Sequence, residues 1–177
     1  MATILLRNTN TRLSEEQEVK QFLDKQGVLY EHWDMDKLPK HLRENFILSD
    51  EQKREILAVF DSEVRSLAKR RGYEQWDIIA LSEATPNLDE LLTKFEKVHV
   101  HTEDEVRAIT AGNGVFTIKG DNGYFDVELS AGDVISVPVN TPHFFTLMQN
   151  RQVVAVRLFI DATGWVAHPF EDPDFKK

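Results

Sequence analysis

The chain has 177 residues, 41% of them hydrophobic and 29% charged, with a net charge of −9 and no cysteine. This is the composition of one ordinary globular domain. It excludes disulfides and thiolate metal ligands, holds no apolar run near the ~20 residues of a membrane span, and disfavours non-specific binding to nucleic acid or anionic membrane. A small molecule is the expected partner and the cytoplasm the expected compartment.

The first ten residues hold only Ile4, Leu5 and Leu6 as an apolar core, too short for a signal peptide. Ser14 and Gln17 stand at capping-box spacing ahead of Val19, Phe22 and Leu23, which share one helical stripe. Ser49 and Gln52 repeat the signal. Ile56, Leu57, Phe60, Val64, Leu67 and Ala68 then trace an amphipathic face that ends at Lys69, Arg70, Arg71 and Gly72. Residues 28–33 and 76–81 are strand-like. From residue 95 the pattern is strand after strand: 98–101, 105–111, 115–119, 124–129, 134–137, 144–148 and 153–160. Turns are expected at 112–114, at Asp121-Asn122-Gly123 and at Ala131-Gly132-Asp133. Seven short strands at this spacing predict a β-sandwich or barrel, with an N-terminal α/β flank whose apolar stripes pack on one outer face. The expected organisation is a single domain spanning 1–177: a mainly helical flank over 1–94, a barrel core over 95–160 and a tail over 161–177.

Three of the six histidines form a pattern. His99 and His101 are separated by one residue and leave the same face of a strand. Glu105 follows at another even spacing, and His143 heads a later strand. Two strands of a small barrel can therefore gather three imidazoles and a carboxylate. That donor set suits a divalent first-row metal, and four protein ligands on a six-coordinate ion leave two positions open for a substrate. Three neutral imidazoles and one carboxylate leave a charge of +1, which favours an anionic chelating ligand. His32, His41 and His168 lie outside the pattern and receive no role.

These residues resemble the two motifs of the cupins: His99-x-His101-x3-Glu105-x6-Gly112, and Gly132-x5-Pro138-x-Asn140-x2-His143. Thr93 and Asn140 stand where many cupins carry glycine. The resemblance implies a mainly β cupin fold, the double-stranded β-helix or jelly-roll barrel. From Phe95 to Trp165 the chain is more specifically similar to the acireductone dioxygenase family, through His99-Val-His-Thr-Glu-Asp-Glu-Val-Arg107, the run from Gly132 to His143-Phe-Phe, Val154-Ala-Val-Arg-Leu-Phe159 and Gly164-Trp165. That resemblance implies a monomeric methionine-salvage enzyme holding one Fe2+ or Ni2+ on His99, His101, Glu105 and His143. Its substrates would be 1,2-dihydroxy-3-keto-5-methylthiopentene and O2. The iron form would give 2-keto-4-methylthiobutyrate and formate, and the nickel form methylthiopropionate, formate and carbon monoxide.

An arginine pointing into a barrel is costly unless it meets an anion or a hydrogen-bonded partner. Arg107, two residues beyond Glu105, is therefore expected to bind the substrate enediolate as the catalytic cation, the alternative being a structural ion pair. Arg157, in an otherwise apolar run, is a second candidate substrate-binding cation. Phe95 and Phe145 are expected to line a slot for the methylthio tail. Val98 and Asp104 flank ligands, and Asp104 is a candidate to support one through a hydrogen bond. Another cupin enzyme, or a cupin that binds a small ligand without turnover, remains the alternative.

Overall fold

A computed structural model describes residues 1–175, and only the backbone of Trp165. Lys176 and Lys177, the end of the expected tail, lie outside the described residues. In chain order the elements are β1 (Thr3–Leu6), β2 (Thr11–Leu13), α1 (Glu16–Lys25), β3 (Leu29–His32), α2 (Lys40–Arg43), α3 (Asp50–Val59), α4 (Asp61–Arg71), β4 (Gln75–Leu81), α5 (Leu88–Phe95), β5 (His99–Val100), β6 (Glu105–Gly120), β7 (Gly123–Ser130), β8 (Asp133–Val137), β9 (His143–Thr146), β10 (Val153–Phe159) and β11 (His168–Pro169), with 3₁₀ turns at Met35–Lys37 and Ala162–Trp165. Among the described residues no helix is long and apolar enough to cross a membrane.

The barrel is organised by β6. Its first half lies between β8 and β10, with β3 beyond β8 and β4 beyond β10; its second half lies between β9 and β7, with β1 and β2 beyond β7. The sequence suggested two strands separated by a glycine turn at 112–114, but the chain passes through as one strand. Ala155 pairs with Ile109 and Val154 with Ala111, so Thr110 is the extra residue of a bulge. The bulge switches the side-chain phase. Glu105, Arg107 and Ile109 face the barrel interior before it, while Phe116 and Ile118 do so after it. Gly112 completes the bend with φ +74°, and a Cβ there would lie 2.3 Å from the Gln152 carbonyl oxygen.

Two hydrophobic clusters hold the fold together. One fills the barrel and is closed by α1 and α5, through Val19, Leu23, Leu88 and Leu92. The other lies outside, where Leu42, Ile56, Phe60, Val64 and Leu67 of the helical flank cover Val106, Val134, Val154 and Val156. The stripe of α3 and α4 thus packs on one outer barrel face, as expected, whereas that of α1 closes the barrel instead. The flank also supplies β1, β3 and β4, which extend the sheets of the barrel. Residues 3–6 have no strand-length pattern of their own and are ordered by pairing with β7 far along the chain.

Several local features differ from the sequence reading. The box at Ser49 and Gln52 forms, but the one at Ser14 does not: α1 starts at Glu16, after an extended Glu15, with no side-chain cap. The helix expected from residue 50 to Gly72 breaks at Phe60, whose buried ring stacks on Trp33 at 5.4 Å. Helix α5 was unforeseen, although Leu88, Leu91, Leu92 and Phe95 carry helical spacing. The segment after Glu171 is packed as far as it is described. Asp172 accepts from Lys119 Nζ at 2.7 Å and Tyr124 Oη at 2.9 Å, and the Phe175 ring meets those of Tyr124 and Phe144.

Candidate metal centre

His99 and His143 are direct register partners on β5 and β9, which places their rings side by side with centroids 4.6 Å apart. His101 follows just after β5, and Glu105 opens β6. The donor atoms of the four side chains lie within 4.8 Å of one another, and all three histidines are buried.

Each imidazole is oriented by a main-chain carbonyl. Lys97 O lies 2.5 Å from His99 Nδ1, Val166 O 3.0 Å from His101 Nδ1, and Thr141 O 2.7 Å from His143 Nδ1. A carbonyl only accepts, so Nδ1 carries the proton and the Nε2 lone pair is left for a ligand. Glu105 Oε2 is 3.1 Å from His101 Nε2 and in close contact with His143 Nε2. Lone pairs on Nε2 facing a carboxylate oxygen repel unless a cation lies between them, so the donor chemistry fits a bound divalent metal ion. Cis and trans donors around an ion with ~2.1 Å bonds lie about 3–4.2 Å apart, so only small adjustments separate this cluster from a coordination sphere.

The electrostatics agree. Burial pushes the His99 pKa down, keeping the ring neutral. Burial also opposes charge on His143, but Glu105 outweighs it and raises that pKa. Burial alone would raise the Glu105 pKa; Arg107 and the histidines instead hold it well below the usual carboxylate range.

Beside these donors lies a cavity of about 270 Å³, whose lining includes Phe95, Arg107, Phe145 and Arg157. A recess of about 30 Å³ adjoins it, sharing Phe95, Glu105, Arg107 and Phe145 and otherwise lined by the apolar Ile79, Leu81, Ile109, Val153 and Ala155. Phe95 is the last residue of α5, not a lead-in to the ligand strand. Phe145 packs on Phe116 at 4.9 Å and lies so close over Gly114 that a Cβ there would be 2.3 Å from its ring. Arg107 pairs with Glu105 Oε1 at 2.9 Å and donates to Val106 O at 2.9 Å. Arg157 is forked onto Asp77 at 2.8 and 2.6 Å.

Of the residues flanking the ligands, Val98 acts through its backbone and Asp104 through its side chain, and among the described residues neither is hydrogen-bonded to a ligand side chain. Val98 is half-buried, and its carbonyl accepts from Phe170 N at 3.2 Å. Asp104 accepts from Tyr73 Oη at 2.7 Å and from Val139 N at 3.2 Å, and pairs with Arg71 at 3.5 Å. It thereby ties the loop before Glu105 to the loop before His143. Both positions that depart from the cupin pattern have a local explanation. Thr93 lies within α5 and donates to Asp89 O, while Asn140 takes the left-handed φ of 55° that glycine would supply and donates to His101 O at 3.0 Å.

Sequence reasoning missed Glu103. Its carboxylate, on a residue only 9% exposed, accepts from Ile160 N at 2.6 Å and Asp161 N at 3.2 Å. It anchors the 3₁₀ turn that leads to Val166, the residue orienting His101. Its partners lie 57 and 58 residues along the chain, so the sequence carried no local signal for it.

Comparison with known proteins shows the family. The chain is 66% identical over 176 residues to the acireductone dioxygenase of Geobacillus kaustophilus, covering 98% of each chain. It is 56% identical over 167 residues to that of Bacillus cereus, covering 94% of this chain and 98% of the relative. The structure of the acireductone dioxygenase of Bacillus anthracis, with a cadmium ion in its active centre, matches with a TM-score of 0.93 at 55% identity, covering 94% of this chain and 97% of that one. The profile of the ARD/ARD′ family matches residues 4–167, and with these relatives it establishes that the chain, a cupin by fold, belongs to the ARD/ARD′ family of acireductone dioxygenases.

Proposed function

We propose that this protein uses one Fe2+ or Ni2+, held by His99, His101, Glu105 and His143, to cleave 1,2-dihydroxy-3-keto-5-methylthiopentene with O2 in methionine salvage. The observation that carries the reading is the convergence of three imidazole Nε2 atoms and one carboxylate oxygen at a cavity lined by two arginines.

When bound, the metal supplies a Lewis-acidic template with two positions open to the substrate's oxygens. The chain's own residues do the rest. Arg107, released in part from Glu105, binds the enediolate charge as the catalytic cation and favours the dianion. Arg157 provides a second positive group on the same wall. Phe95, Phe145 and the apolar recess seat the methylthio tail and keep water from the reacting carbons. The electron-rich enediolate is itself the reductant for O2. The enzyme is proposed to act as a monomer, as the family resemblance implies. With iron the expected products are 2-keto-4-methylthiobutyrate and formate; with nickel they are methylthiopropionate, formate and carbon monoxide, as the family resemblance implies.

The test is O2 uptake with synthetic acireductone by metal-stripped protein reloaded separately with iron and nickel, followed by mass spectrometry and carbon monoxide detection. Identical products from the two forms would contradict the metal-dependent outcome. No O2 uptake by either form would refute the enzymatic reading.

A further inference from the structure

Register places Asp77 of β4 opposite Arg157 of β10, and Arg157 opposite Arg107 of β6. The three side chains share the interior face of three adjacent strands. Two guanidinium groups at directly opposed positions repel, which ordinarily destabilises a sheet. Here each has its own carboxylate: Glu105, two residues earlier on β6, takes Arg107 through Oε1 at 2.9 Å, and Asp77, across the strands, takes Arg157 through a fork at 2.8 and 2.6 Å. Both cations line the cavity wall.

We infer that Asp77 is a positioning residue: its fork holds Arg157 beside Arg107 against their mutual repulsion and so builds a two-cation subsite for a dianionic chelating ligand. Asp77 suits this role because among the described residues β4 is paired only with β10, at the sheet's edge, where the acid is 38% exposed and Arg157 19%. From there the acid can fix the arginine's plane without entering the cavity. Without the fork, Arg157 loses the carboxylate that fixes its plane beside Arg107, and the subsite's second cation is less firmly placed. Removing the screened negative charge of Asp77 offsets little of that loss.

The inference rests on the anionic-substrate reading above, but its test involves no turnover. A protein inert towards acireductone would refute that reading and leave this result standing. Cobalt(II)-loaded protein is titrated with oxalate, a dianionic chelator, and with imidazole, a neutral ligand, while visible absorption is followed. Asp77→Asn should weaken oxalate binding about tenfold, with imidazole binding and cobalt content unchanged. Asp77→Glu should restore most of the oxalate affinity. In an Arg157→Gln background, Asp77→Asn should cause no further loss. Unchanged or tighter oxalate binding, an equal loss for imidazole, a fall in cobalt content, or the absence of any oxalate response in the unmutated protein would overturn it.

Discussion

Replacing Glu103 with alanine tests whether the ligand shell depends on a residue that touches no ligand. The carboxylate accepts two backbone N–H bonds, from Ile160 and Asp161, and Glu103 is almost fully enclosed. A hydrogen bond to a charged acceptor contributes about 1.5–3 kcal/mol when buried, and less near a cavity mouth where water can replace it. The two together are worth about 2–4 kcal/mol. For a chain of this size that lowers the melting temperature by roughly 5–12 °C. The Ala162–Trp165 turn then loses its anchor, and with it the fixed position of the Val166 carbonyl that orients His101. Loss of such an orienting partner weakens metal binding about ten- to a hundredfold. Calorimetry of the metal-stripped variant reads the first effect and competition with a chromophoric chelator reads the second. Gly164→Ala should act in the same direction, because its Cβ would lie 2.2 Å from Glu103 Cδ. A Glu103→Ala protein that melts normally, or melts early but binds metal normally, would refute the reasoning.

Arg107→Ala should leave metal content nearly intact while lowering kcat/KM about thirty- to a hundredfold, the worth of one charge-assisted hydrogen bond of ~2–3 kcal/mol expressed in the transition state; steady-state kinetics at fixed metal loading measure it. Gly112→Ala combines a strained positive φ with a 2.3 Å approach to backbone, and should destabilise by about 3 kcal/mol or more in urea denaturation. Asp172 is hydrogen-bonded by Lys119 and its carboxyl pKa is lowered from the ordinary 3.8. A lowered folded-state value means the stabilisation is fully present above that ordinary value and is lost as pH falls through the folded one. The melting difference between the unmutated protein and Asp172→Asn should therefore be constant from about pH 5 to 8 and close only in stronger acid.

Much of the ligand cluster was legible because its signal is local: the even spacing of His99, His101 and Glu105 survives whatever the rest of the fold does. His143 needed the further expectation that a later strand pairs beside β5, and the register shows that pairing. What was illegible is non-local or irregular. Nothing around Thr110 marks the bulge that switches the phase of β6, so one bent strand read as two. Residues 3–6 become a strand only because β7 offers an edge. Asp77 looks like any polar strand residue until Arg157 is found opposite it, and Glu103 like a loop acid until the chain returns at Ile160. The apolar spacing of α5, which begins at Leu88 after Asn87, was readable in the sequence.

The central claim is that four side chains hold one divalent ion, and elemental analysis tests it most directly. The unmutated protein, stripped and reloaded with iron or nickel, should hold close to one ion per chain, and His99→Ala, His101→Ala, Glu105→Ala and His143→Ala should each lose most of it while remaining folded by circular dichroism. Full occupancy in any one of these folded variants would contradict that residue's place in the site, and full occupancy in all four would contradict the site itself.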